Sequence, residues 1–294
     1  MWPYSDPVGA VHTVGLVLHP QRDCTPAVDT ITGWAGRREV TVLGLAGEVG
    51  RLNGRTCPVD QAELLERSGL LVSLGGDGTM LRAMRLVEGR TTPVLGVNVG
   101  RLGFLAEVDV ADLDTALCAI DEHRYAVEPR MSVGTVLPDG TAVSAFNDIA
   151  LVRVPGDHLA AVSITVEGKR FVQYAADAVI VSTPTGSTAY SFSAGGPIVS
   201  PTVEALLVGA AAAHSSFNRF VLLALDEQLV LDVLKASGRL AVEVDGIVRG
   251  TVAAGDRLAV VPTRAAARVV RLGGATFYDR ARRKLHVHGS SEVE

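Results

Sequence analysis

The stretch "LLVSLGGDGTML", residues 70–81, constrains this chain more than any other. An apolar run ends in Gly75-Gly76-Asp77-Gly78-Thr79, and a second apolar pattern starts at once. A short apolar run closed by glycines reads as a buried strand. Behind it Met80, Leu81, Met84 and Val87 recur at helical spacing. Glycines at such a strand-to-helix turn let the backbone bend sharply and come close to a ligand. The N–H groups that open the helix attract phosphate. An acid is then out of place unless it works. A carboxylate can take a proton from an attacking hydroxyl or help to hold Mg²⁺, and both are phosphoryl-transfer tasks. The plainer account of Gly-Asp-Gly is a capped tight turn. Neither the Walker A pattern nor a Gly-x-Gly-x-x-Gly fingerprint occurs in this region.

The flanking sequence supplies the rest of an α/β layer. "TVGLVLHP" (13–20), "REVTVLGL" (38–45) and "TPVLGVNVG" read as strands. "PVDQAELLERSG" (58–69) reads as a helix, with Pro58 and Asp60 near its start. "ADLDTALCAIDEH" places Leu113, Leu117 and Ile120 on one helical face. Strands alternating with helices predict a parallel sheet. The pattern changes near residue 125. "AVSITVEGKRFVQY" sets Val162, Ile164 and Val166 against Ser163, Thr165 and Glu167, and "RLAVEVDGIVRGTV" does the same with Leu240, Val242 and Val244. Period-two alternation with short turns predicts half-buried antiparallel strands. The expected division is an α/β domain over 1–125 and a mostly β domain over 126–294. The tail "ATFYDRARRKLHVHG" is expected to pack back on the first domain.

Composition narrows the partners. A formal charge of −5 without a basic block argues against nucleic acid. Cys24, Cys57 and Cys118 are few and far apart, which suggests neither a disulfide framework nor a zinc site. The first residues lack a signal-peptide pattern, and the apolar run 205–213 is too short to span a bilayer. A cytoplasmic protein that does not enter a membrane is expected. His286 and His288 stand two apart, but no nearby carboxylate or cysteine completes a metal site.

The second chemical stretch is "YAADAVIVSTPTGSTAYSFSAGGPIVSP" (174–201). Ser182, Thr183, Thr185, Ser187, Thr188, Tyr190, Ser191 and Ser193 place eight hydroxyls in twelve residues. Such a loop suits phosphate and ribose recognition, and its plainer account is a polar surface loop. Asp177 precedes the apolar "AVIVS" and is placed to recognise an amide or ring N–H.

Gly75–Thr79, together with Ser182–Tyr190 and Ala194–Pro197, closely resembles the NAD kinase family in order and spacing. "GVNVGRLGFLAE" (96–107), "FNDIALVR" (146–153) and "VEVDGIVRG" resemble further segments of it, so the likeness covers nearly the whole chain. "STPTGSTAY" is highly specific to that family, whereas "GGDGT" is shared with lipid kinases. The resemblance implies an N-terminal α/β domain, a C-terminal antiparallel β-sandwich and an active site between them. It implies transfer of the ATP γ-phosphoryl group, or that of polyphosphate, to the 2′-hydroxyl of the adenosine ribose of NAD, with Mg²⁺, in a homodimer or homotetramer. By the same resemblance Asp77 is the general base. Gly75, Gly76, Gly78 and Thr79 form the phosphate-binding turn, and Arg82 reaches phosphate oxygens. Asn147 and Asp148 hold ribose or adenine, His158 contacts NAD, and Asp177 recognises a base. Thr188, Ala189, Tyr190 and Ser193 line the NAD site. Asp148 stands where the family usually has Glu, and Ala178 where it has Gly. The alternatives are a catalytically weak NAD or NADP sensor and, behind it, a GGDGT lipid kinase.

Overall fold

The computed structural model describes residues 11–52, 54, 56–100 and 103–287. They form two compact units. One runs through Pro129 and takes up the chain again from Ala267; the other is Arg130–Ala266.

In the first unit the chain alternates as expected from its pattern. The elements are β1 (Thr13–Leu18), α1 (Thr25–Gly36), β2 (Thr41–Leu45), α2 (Ala46–Val49), β3 (Cys57–Val59), α3 (Gln61–Arg67), β4 (Leu70–Gly75), α4 (Asp77–Leu86), β5 (Pro93–Asn98), β6 (Val108–Asp109) and α5 (Leu113–Asp121). The strands pair in parallel in the order β3-β2-β1-β4-β5. β4 and β5 are buried along their whole length, as central strands covered on both faces must be. The order reverses between β1 and β4, and the Gly75–Thr79 turn leaves the sheet at that reversal. In sheets of this kind ligands bind at such a point, beyond the carboxyl ends of the strands. On one face α1 packs against α5, where Trp34 is fully buried and donates its indole N–H to Asp121 at 2.9 Å.

Two local expectations shift. β2 starts at Thr41 rather than Arg38, because Glu39 takes a left-handed turn, at φ 55°, where the chain leaves α1. Pro58 lies in β3, and α3 starts at its cap Asp60, whose carboxylate accepts the Glu63 N–H at 2.8 Å.

The second unit contains β7 (Ala126–Val136, entering from the first unit), β8 (Ala142–Ala145), β9 (Asp148–Arg153), β10 (Ala160–Val166), β11 (Lys169–Ala176), β12 (Ala178–Ser182), α6 (Tyr190–Ser193), β13 (Ala205–Ala211), β14 (Val221–Ala224), β15 (Leu229–Val233), β16 (Leu240–Val244), β17 (Ile247–Val252) and β18 (Arg257–Arg271). One antiparallel sheet runs β14-β13-β12-β9-β16-β17. In the other, β10 lies between β11 and β15, and β15 pairs with β18. Val162 and Ile164 of one sheet meet Val179, Val181, Leu206 and Val208 of the other in a single apolar core. β16 keeps its alternation of buried and half-buried residues. β10 does not, since Ala161 and Ser163 on its second face are buried too.

β18 returns the chain to the first unit, where Arg268 and Val269 pair with β5, and α7 (Phe277–Lys284) follows. The tail thus contains a regular helix. Thr276 caps it with a reciprocal bond to Asp279. Beneath it lies a buried charge cluster. Glu107 accepts from Arg271 at 2.7 Å, from the Leu272 N–H at 2.8 Å and from Arg280 at 3.4 Å, and Glu128 takes the other side of Arg271 at 3.2 Å. Burial pushes the Arg271 guanidinium down, but the two carboxylates outweigh it and hold it above its ordinary value. Arg280 falls below its ordinary value, through burial and the like charge of Arg271. Removing one member of a buried pair leaves the others uncompensated. Glu107→Gln is therefore expected to destabilise the protein by about 3 kcal/mol in urea unfolding. A loss under about 1 kcal/mol, the range of an exposed pair, would show that the cluster does not hold this unit together.

Candidate active site

In the first unit the glycine-rich stretch sits where β4 hands over to α4. None of Gly75, Gly76 and Gly78 takes a left-handed φ. At Gly75 the missing side chain provides needed room. A Cβ on Gly75 would lie 2.2 Å from the Thr79 hydroxyl, and one on Gly78 would meet nothing within 4 Å. Gly76 caps α4 without any side-chain bond, which leaves the helix start open to an anion.

Asp77 is the first residue of α4, and its carboxylate is fixed from three directions. Oδ1 accepts the Leu105 N–H at 2.9 Å, and Oδ2 accepts the Phe104 N–H at 3.1 Å. Lys284 of α7 donates to Oδ2 at 2.9 Å, with its ammonium 4.4 Å from the centre of the Phe104 ring. The chain passes so close at Gly103 that a Cβ there would lie 2.2 Å from Oδ1. The partners Phe104, Leu105 and Lys284 had no signal in the sequence, because they lie 27, 28 and 207 residues from Asp77. Arg82, one turn along α4, is engaged within the unit: it donates to Glu48 at 2.5 Å and to the Leu18 carbonyl at 2.6 Å.

In the second unit the hydroxyl-rich loop is not a polar surface. Ser182, Thr183, Thr185, Ser187 and Ser191 are buried. Four of these build the loop. Ser182 and Thr183 donate to the carbonyls of Asn147 and Phe146 at 3.1 and 2.5 Å. Ser187 bonds both the N–H and the carbonyl of Val199, and Thr185 accepts from Arg130 at 3.3 Å. Gly186 is pressed so tightly on Asn147 that a Cβ would lie 2.1 Å from its carbonyl oxygen. What remains toward the outside is Thr188, Ala189 and Tyr190, half-buried, and Ser193, exposed.

Asn147 and Asp148 stand beside this loop at the start of β9. Asp245 positions them by accepting the Phe146 and Asn147 N–H groups at 3.3 and 2.7 Å. Asp148 is 4% exposed. Burial pushes its carboxyl up to about 7; the Asp245 charge adds to the rise, the Tyr190 N–H opposes it, and Glu243 adds further. The Tyr190 phenol is also held above its ordinary value, by burial and then by Glu243, Asp177 and Asp148. The structure therefore gathers Asn147, Asp148, Asp177 and Tyr190, with Glu243 and Asp245 as members that sequence reading missed. Asp177 pairs with Arg153 at 2.5 Å. His158 lies exposed between β9 and β10, without a side-chain hydrogen bond among the described residues. His286 sits in the turn after α7, and His288 falls outside the described residues. Among the described residues no group of three or more His, Cys, Asp or Glu is placed to hold a metal ion.

The raised carboxyl has a consequence for stability. Asp148 titrates near 7 when folded and near 3.9 when unfolded, so the folded state holds its proton more tightly. Its contribution is full below about pH 4, is lost as pH rises toward about 7, and amounts to on the order of 4 kcal/mol across that window. Asp148→Asn is expected to raise the melting temperature by several degrees at pH 8.5 and by much less at pH 5. An equal shift at both values would refute the buried, proton-binding carboxyl.

The N-terminal domain model of the ATP-NAD kinases matches residues 48–125, and the C-terminal domain model matches residues 146–272. NAD kinase 1 of Streptomyces avermitilis is 38% identical, over 94% of this chain and 88% of its own length. The NAD kinase of Gemmatimonas aurantiaca is 36% identical, over 97% of this chain and 96% of its own. In fold the chain is similar to yeast NADH kinase solved with NADH, at a TM-score of 0.84 and 24% identity, covering 96% of this chain and 89% of that one. It is likewise similar to an Archaeoglobus fulgidus NAD kinase solved with ATP, at 0.73 and 24%, covering 94% of this chain and all of that one. Two domain matches in the right order, over most of the chain, leave one assignment: this chain belongs to the ATP-NAD kinase family.

Proposed function

We propose that the chain is an NAD kinase, transferring the γ-phosphoryl group of ATP to the 2′-hydroxyl of the adenosine ribose of NAD to give NADP. The observation that carries the mechanism is the Asp77 carboxylate, held on the open start of α4 with its acceptor sites unequally used. Among the described residues Oδ2 takes two donors and Oδ1 takes one, so Oδ1 keeps a lone pair for the 2′-hydroxyl proton. The hydroxyl oxygen then attacks the γ-phosphorus, the bond to the bridging oxygen breaks, and ADP leaves with those electrons. The glycines of the turn and Thr79 give the phosphates backbone N–H groups without side chains in the way. Arg82 reaches a phosphate oxygen by exchanging Glu48 for it. Mg²⁺ would be held by the ATP phosphates with few protein carboxylates, and would neutralise charge on the transferred group.

On the second unit, Asn147 and Asp148 take the ribose or adenine, and Asp177 recognises a ring or amide N–H. Tyr190 offers a stacking face beside Thr188, Ala189 and Ser193, and His158 makes a peripheral contact. The raised Asp148 carboxyl supports a hydrogen-bonding role, because near neutral pH it both donates and accepts. The family match and the ATP complex of the similar fold support ATP as donor. No helix among the described residues is long and apolar enough to cross a membrane. A cytoplasmic homodimer or homotetramer completes the reading.

The test is NADP formation from NAD, ATP and Mg²⁺. Asp77→Asn is expected to lower kcat by roughly 10²–10⁴-fold while NAD still binds. A wild-type protein that binds NAD but yields no phosphorylated product, with NADH and polyphosphate also tried, would overturn the kinase reading in favour of a nucleotide sensor.

A further inference from the structure

We infer that Lys284, at the end of the C-terminal helix, is a positioning residue for phosphoryl transfer, acting through Asp77; this rests on the kinase reading above. The two amides of Phe104 and Leu105 grip one carboxylate oxygen each and by themselves leave the oxygens alike. Lys284 makes them different. Its ammonium fills the second acceptor site of Oδ2 at 2.9 Å, so among the described residues' bonds Oδ1 is the oxygen left to receive a proton. Phe104 serves twice, since its N–H binds Oδ2 and its ring lies 4.4 Å from the ammonium that binds the same oxygen. The ring narrows the directions from which a flexible lysine can approach.

The pair is not needed to dock the helix. Thr276 and Asp279 close its first turn, Ala281 is buried, and Arg280 reaches the buried Glu107. Arg280 and Lys284 are four residues apart and so share one face of α7. The buried member anchors the helix, and the partly exposed member reaches the carboxylate, its side chain 35% exposed. Ion pairs as open as this one contribute little to folding. A lysine in that position is explained by what it does to Asp77.

The experiment is a double-mutant cycle on the full chain, read as kcat for NADP formation. Lys284→Met is expected to lower kcat at least tenfold, with KM for NAD and ATP within twofold and an unchanged melting temperature. Lys284→Arg should recover to within about threefold of wild type. In an Asp77→Asn background, Lys284→Met should cost less than twofold, because the group it acts through is gone. An equal loss in both backgrounds, or wild-type kcat in Lys284→Met, overturns the positioning role alone. A wild-type protein that forms no NADP overturns the kinase reading and this inference with it.

Discussion

The first unit is organised around one carboxylate that water does not reach. Glu107 receives two guanidinium groups and a backbone N–H, and each donor comes from a different stage of the chain's return: Arg271 from the end of β18, Leu272 just beyond it, and Arg280 from α7. Desolvating these charges is costly, and they repay it only when all are present together. That condition fixes the segment 103–107 between the sheet and the tail. Two residues before Glu107, the same segment turns its amides on Asp77. The buried cluster thus sets the position of the partly exposed acid without touching it.

The second unit solves a similar problem with neutral groups. Three of its loop hydroxyls turn inward to the carbonyls and amides of residues 146, 147 and 199, and Thr185 turns to Arg130. A buried hydroxyl without a partner is penalised more than a made bond gains, so a loop built this way has few alternative conformations. The few groups left outward are therefore presented by a rigid support. The same dryness that fixes the loop raises the proton affinity of Asp148.

Much of the architecture could be read from the residues alone, because it rests on local rules. The parallel layer followed from apolar runs punctuated by glycine, and β16 followed from alternation. What could not be read depends on distance along the chain. Nothing near Asp77 hints at Lys284, and nothing in "STPTGSTAY" tells an inward serine from an outward one, since burial is decided by residues 146–147 and 199. Which glycine of the turn is needed for space was also out of reach, since only at Gly75 does a neighbour, the Thr79 side chain, exclude a Cβ. Ser163 defied its alternating pattern for the same reason: a strand's second face is wet or dry according to what covers it.

The packing of α1 against α5 carries an optical consequence. Trp34 is the one indole among the described residues, and the whole of Arg130–Ala266 contains none. Its ring is sealed from water, its N–H is bound to Asp121, and the guanidinium of Arg38 lies 5.7 Å from the ring centre. Light absorbed there reports the dryness of the α/β layer. Tyr174 and Tyr190 are the phenols of the β-sheet unit. Indole emission therefore belongs to the first unit alone, whereas phenol emission is shared, because Tyr125 and Tyr278 lie in the first unit as well.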